Sequence, residues 1–310
     1  MKLLHTAKTL AQLFHHTFIQ WLAREPFRST AVIAFYTIFS LPGLLVIIIN
    51  LAGYFYGDEA VTRRISSEIE AMIGSNTAKD IEAIIANASV HKDFTFSSLM
   101  GLGTLIFGAT GVFYQLQHTL NQIWEVKPAP KRKLLKMVID RLFSFGLILA
   151  VGFLLLVSLV LSTLLSVLSS WVSVYFSDLF NILFRLIDFT FSLGVITLLF
   201  AAIFKFLPDA IVPWRYVWRG ALLTALLFVL AKFALGFYFS HSEPASAYGA
   251  AGTIILIMLW VSYAGLILLF GAEFTRIYAD SCGEKIQPVD FAVSTAEKNQ
   301  ATTAPENQEA

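Results

Sequence analysis

Three charged residues stand where charges are costly. Arg185 and Asp188 lie three apart in one long apolar run, so on a helix they share a face, and Lys232 stands inside the next run. A charge at membrane depth costs roughly 2.5–3.5 kcal/mol on insertion scales, so each needs a counter-charge or a watery cavity. At a helical rise of about 1.5 Å per residue, Asp188 falls roughly 13 Å and Lys232 roughly 11 Å below the same outer boundary. The expectation is an Asp188–Lys232 ion pair between consecutive helices, with Arg185 nearby at the outer mouth. Such a pair is either a structural bridge or the polar centre of a solute or headgroup site.

A second polar cluster comprises Gln115, His118, Asn121 and Gln122, with Glu273 at the inner end of the last apolar run. One histidine among amides lacks the further ligands of a metal site, so neither metal nor cofactor is expected. The amides suit interhelical hydrogen bonds. Glu273 suits either an inner-face arginine or a cavity open to the cytoplasm. The lone Cys282 excludes an intramolecular disulfide and any cysteine-based zinc framework. No HExxH or GxSxG motif occurs. RNA hydrolysis would want a cluster of metal-binding carboxylates or histidines, so the expectation is a protein that is not an enzyme.

The helices that carry these residues follow from composition. Apolar residues make up 57% of the 310-residue chain and charged residues 14%, and the mean hydropathy is +0.71. Soluble domains carry about 25% charged residues. The deficit is concentrated in six runs, and a spanning helix needs about 20 apolar residues. The predicted spans are 31–55, 97–120, 142–168, 179–207, 217–239 and 249–274. The fold class is therefore all-α, an integral membrane bundle of six transmembrane helices. The first run begins too late and is too long for a cleaved leader, so it reads as an uncleaved anchor. Lys and Arg in the terminal segments, between the spans or at their ends number sixteen on the side of the termini and four on the other. That asymmetry places both termini in the cytoplasm. Trp214 and Trp218 flank the cytoplasmic start of the fifth span, as interface anchors do.

Around the six-helix domain, 31–279, the reading places three further pieces. Residues 1–30 read as a cytoplasmic interfacial amphipathic helix ended by Pro26. Residues of about 57–96 read as a periplasmic helical hairpin, serving as structural cover or as a lid. Residues 280–310 read as a disordered cytoplasmic tail. Glycines 101, 103, 108 and 111, and 249, 252, 265 and 271, suit close helix approach or a broken helix at a transport site.

Ordered short motifs carry a resemblance. They are Ala34-Phe35-Tyr36 leading to Ser40-Leu41-Pro42, then Asn121-Gln122-Ile123-Trp124, Pro208-Asp209 and Pro213-Trp214-Arg215. Gly220-Ala221-Leu222 follows, then Tyr248-Gly249-Ala250-Ala251-Gly252, and Gly271-Ala272-Glu273. In these the chain resembles the YihY/BrkB family of bacterial inner-membrane proteins, once labelled ribonuclease BN. The resemblance implies six membrane helices. It also brings links of some members to serum resistance and of others to lipid export.

The function expected is a transporter or flippase of a lipid or other amphiphilic solute, with membrane lipids as its surroundings. The alternative is a non-catalytic scaffold in envelope assembly, which leaves a second copy or an envelope protein as partner. A net charge of +1 gives no footprint for nucleic acid, and the basic run at Lys131-Arg132-Lys133 is accounted for by topology and anionic lipid.

Overall fold

A computed structural model describes residues 2–57, 59, 61–63, 65–67, 96–129, 178–242, 252–289 and 292–294. The described chain is mostly helical. Helix α1 covers Lys2–Ala23, α2 Pro26–Tyr56 and α3 Phe96–Ile123. Helix α4 covers Asp178–Phe206, α5 Trp214–Ser242 and α6 Gly252–Ser281. Among the described residues, Leu186–Phe206, Trp214–Tyr238 and Gly252–Ser281 are long and apolar enough to cross a membrane. Helices α2 and α3 stand where the first and second spans are predicted. The third predicted span, 142–168, lies outside the described residues, as does nearly all of the predicted hairpin.

Helix ends follow local chemistry. Pro26 opens α2 rather than ending α1, which stops at Ala23. At a first helical position the missing proline N–H costs nothing, because that donor has no intrahelical acceptor. Glu25, held at φ 51° before the proline, accepts the first bonds of α2 from Arg28 N at 3.1 Å and Ser29 N at 3.3 Å. Pro213 does the same for α5, accepting from Tyr216 and Val217. Helix α6 ends on Gly283 at φ 79°. Glu284 N donates to Ala279 O and Gly283 N to Asp280 O, the paired bonds that satisfy a helix C-terminus.

Along α5, Trp218, Leu222, Leu226, Leu230, Phe233 and Phe237 are exposed at spacings of three and four residues. That spacing makes one apolar face of the helix. Val217, Ala221, Thr224 and Ala225 on the other side are fully buried. An exposed apolar stripe of this length calls for lipid as its solvent.

The chain divides into two compact units, one of Met1–Phe18, Leu120–Leu226 and Phe270–Ala310, the other of Ile19–Thr119 and Leu227–Leu269. In the first unit α5 and α6 interlock. A β-carbon at Gly220 would collide with Thr275 Oγ1, and one at Gly271 with Thr224 Oγ1. Each threonine hydroxyl meanwhile donates to the carbonyl four residues back, at 2.7 Å. Phe14 packs against Phe270 and Phe274, with ring centres at 6.3 and 5.4 Å.

Two antiparallel ladders complete this unit. Strand β1 (Val126–Pro128) pairs with β4 (Ala292–Ser294), placing Lys127 opposite Val293. Strand β2 (Ala210–Ile211) pairs with β3 (Gln287–Pro288). This corrects the reading of 280–310 as a disordered tail: the described part, through Ser294, finishes α6 and then pairs with two loops. Strands of two or three residues are too short to show the alternation by which a strand is recognised.

In the second unit α2 and α3 approach closely in antiparallel register. A β-carbon at Gly108 would stand 2.7 Å from Ser40 N and Tyr36 O, and one at Gly43 2.8 Å from Leu105 Cβ. One at Gly111 would overlap the Tyr36 ring. Thr30 packs on Gly265 in the same way, and Phe228 meets Trp260 edge-on at 6.0 Å.

Candidate functional site

The last turn of α3 and the turn after α4 bring two polar residues together in the first unit. Asn121 and Asp209 are both 5% exposed. Asn121 Nδ2 donates to Asp209 Oδ2 at 2.8 Å, and Asp209 N donates to Asn121 Oδ1 at 2.7 Å. Asp209 O accepts from Val289 N at 3.2 Å. The turn carrying Asp209 is closed by Lys205 Nζ, which donates to Val212 O at 2.7 Å and lies 5.7 Å from the Trp214 ring centre.

A charged knot in the same unit centres on Arg276. Its Nη2 donates to Glu273 Oε1 at 2.5 Å and its Nε to the same oxygen at 3.1 Å. Its Nη1 reaches Glu125 Oε1 and Asp280 Oδ2, each at 3.3 Å. Glu273 is fully buried, and the Arg276 side chain is 12% exposed. A buried carboxylate is tolerable only beside such a cation. Glu125 sits in the left-handed region at φ 57°, a conformation costing roughly 1–2 kcal/mol in a non-glycine residue. Its bond to Arg276 helps to hold it there.

Around this knot the start of α5 is fastened to the end of α6 and the turn beyond it. Arg215 pairs with Glu284, and Arg219 Nη1 donates to Tyr278 Oη at 2.5 Å with the guanidinium 5.3 Å from that ring's centre. The Arg215 guanidinium, with a bond from Tyr216, holds the Glu284 carboxyl below the usual glutamate value. Chemically this is a network of ion pairs and hydrogen bonds suited to holding helix ends. Among the described residues no three His, Cys, Asp or Glu side chains are placed to hold one metal ion.

The predicted residues distribute unevenly. Asn121 and Glu273 belong to this network, Glu273 meeting an arginine, the first of its two expected settings. Gln122 is exposed. Gln115 and His118 fall in the second unit, where Gln115 Nε2 donates to Thr119 Oγ1 at 3.3 Å and exposed His118 stacks on Tyr114 at 6.0 Å. Asp188 lies on α4 in the first unit, half-buried, and its Oδ1 is buried without a hydrogen bond among the described residues. Lys232 lies on α5 in the second unit, also half-buried. Arg185 lies on α4, its side chain outside the described residues. Asp209, Glu125 and Asp280 were not singled out as site residues by the sequence reasoning, and Arg276 entered it only as a topological charge. Pro208-Asp209 following an apolar run was the one available signal for Asp209.

Comparison with known proteins gives a consistent picture. A sequence model of the family described as Virulence factor BrkB matches residues 17–290. A UPF0761 membrane protein of Saccharophagus degradans is 26% identical over 274 residues, 87% of this chain and 60% of that protein. Another, of Tolumonas auensis, is 30% identical over 186 residues, covering 59% of this chain and 58% of that one. A third, of Azotobacter vinelandii, is 26% identical over 268 residues, 84% of this chain and 61% of its own length. The chain thus spans about 60% of the length of these curated relatives. No solved structure matches. With its exposed apolar helices and a family match over nearly its whole length, the chain is a membrane protein and belongs to the YihY/BrkB family.

Proposed function

We propose that this membrane protein moves an amphiphilic solute, a lipid or lipid precursor, across the bilayer and catalyses no covalent reaction. The observation that carries the reading is Asp188, a half-buried acid inside the span Leu186–Phe206 whose Oδ1 accepts no hydrogen bond among the described residues. An ionisable group at membrane depth is expensive, and it persists where it contacts a polar solute or a counter-charge. Lys232 within Trp214–Tyr238 is a second half-buried charge at membrane depth, and Arg185 precedes Asp188 by three residues on α4. The proposed setting is the bacterial inner membrane, crossed six times, with both termini in the cytoplasm and a hairpin outside. A reporter fused after Ala279 that proved extracytoplasmic would overturn this orientation.

The test is transbilayer movement of a fluorescent phospholipid in liposomes holding the purified full chain. The wild type should empty the protected inner leaflet faster than protein-free vesicles do. Asp188→Asn and Lys232→Gln should slow it at least tenfold. Asp188→Ala and Lys232→Ala should each lower the yield of folded protein, and the double variant should recover part of it. A folded, monodisperse wild type that moves no lipid, but co-purifies with envelope proteins, would favour the scaffold instead.

A further inference from the structure

The segment after α6 fastens pieces of chain that are far apart in sequence. Glu284 is tied to Arg215 in the first turn of α5. Gln287–Pro288 pairs with Ala210–Ile211 in the turn between α4 and α5. Val289 N donates to the carbonyl of Asp209. Ala292–Ser294 pairs with Val126–Pro128, the strand that leaves α3. Beneath these ladders lies the Asn121–Asp209 pair, which joins the same two places by buried side-chain bonds. Asp209 is therefore a shared node, its side chain and N–H holding α3 and its carbonyl holding the segment.

The two layers differ in strength. The pair below is buried and doubly bonded. The ladders above are two and three residues long, and Lys127, Pro128, Ile211 and Gln287 are exposed. Isolated two-stranded pairings of this size are marginal, and such elements open at the low end of a protein's free-energy scale. We infer that the described residues 284–289 and 292–294 form a latch: closed, it pins the end of α3 to the α4–α5 turn, and movement of those ends against each other requires the two ladders to peel away first. This does not rest on the transport reading. It concerns which part must open, whatever the opening serves.

The test uses the full chain with Cys282→Ser and cysteines at the facing positions, Lys127→Cys and Val293→Cys. Mild oxidation should join them, and failure to cross-link would overturn the placement. Hydrogen exchange at 120–128 and 209–217 should slow at least tenfold on oxidation and recover on reduction. A fully cross-linked protein exchanging there as fast as the reduced one would show that the ladders gate nothing. Independently, Val289→Pro removes the N–H that Asp209 accepts. It should speed exchange at least threefold in both regions, and an effect confined to 284–294 would also overturn the latch.

Discussion

The Arg276 knot and the contact between α2 and α3 hold helices by opposite means. At the knot, the cation and its acids meet through directional bonds, with Glu273 wholly buried beneath. Between α2 and α3 the contact is made by what is missing, since Gly108 leaves room for the backbone at Tyr36 and Ser40 and Gly111 for the Tyr36 ring. In lipid, apolar side chains gain little by leaving the acyl chains for one another, so association comes from polar bonds or from close approach. The comparison teaches where each contact is vulnerable. The knot should fail when an atom is removed, and the glycine contact when one is added.

Removal at the knot has the largest expected effect. Glu273→Ala leaves Arg276 nearly buried without its nearest acid, and breaking a buried pair costs about 3–5 kcal/mol. Glu125 and Asp280 still face the guanidinium, so the lower end of that range is expected, read as a fall in the unfolding midpoint in detergent. Glu273→Ala/Arg276→Met should restore most of the loss. A single variant that unfolds with the wild type would show that the knot carries little stability, and the contrast with the glycine contact would then collapse.

Addition at the glycine contact comes next. Gly108→Val places a β-carbon 2.7 Å from backbone atoms of α2, which cannot swing aside as a side chain would. Overpacking of this kind costs about 1–3 kcal/mol. Gly103 supplies the control on the same helix, because a β-carbon there would meet nothing within 4 Å. Gly103→Val should leave the midpoint close to wild type. Equal losses at the two positions would mean that helix propensity, not close approach, explains the effect.

Much of the helical frame was legible because apolar runs of about 20 residues have few other uses. Among the described residues five of the six predicted stretches coincide with helices, and three of these meet the length and hydropathy expected of a span. The glycines on α3 could be read as packing positions from their number alone. The polar network was only half legible. Asn121 and Glu273 stood out as polar groups within apolar runs, but Asp209 lies 88 residues from Asn121, and Glu125 lies 151 residues from Arg276. Periodicity reports the face of one helix and is silent on which distant turn meets it. Arg276 was hidden for another reason: a basic residue near a span end is already accounted for by topology. The ladders after α6 were hidden by their length.

The smallest expected effect refines the knot's own border. Glu284 is tied to Arg215, but both side chains are about half exposed, unlike Glu273. Arg215 first, then Tyr216, lower the Glu284 carboxyl from the ordinary 4.5. The sign follows from linkage. A carboxyl lowered in the folded state contributes its stabilisation in full above the unfolded value, and loses it as pH falls through the folded value. The tie between α5 and the segment after α6 should therefore be unchanged from neutrality down to about pH 5 and weaken below 4.5. Exchange rates at 284–289 should rise over that acidic range in the wild type. In Glu284→Gln they should be slightly raised at neutral pH and flatter below it. Because exposed pairs are screened by water and salt, the difference should shrink as salt is added. A Glu284→Gln profile that tracks the wild type throughout would show that the Glu284–Arg215 pair does not set the acid response.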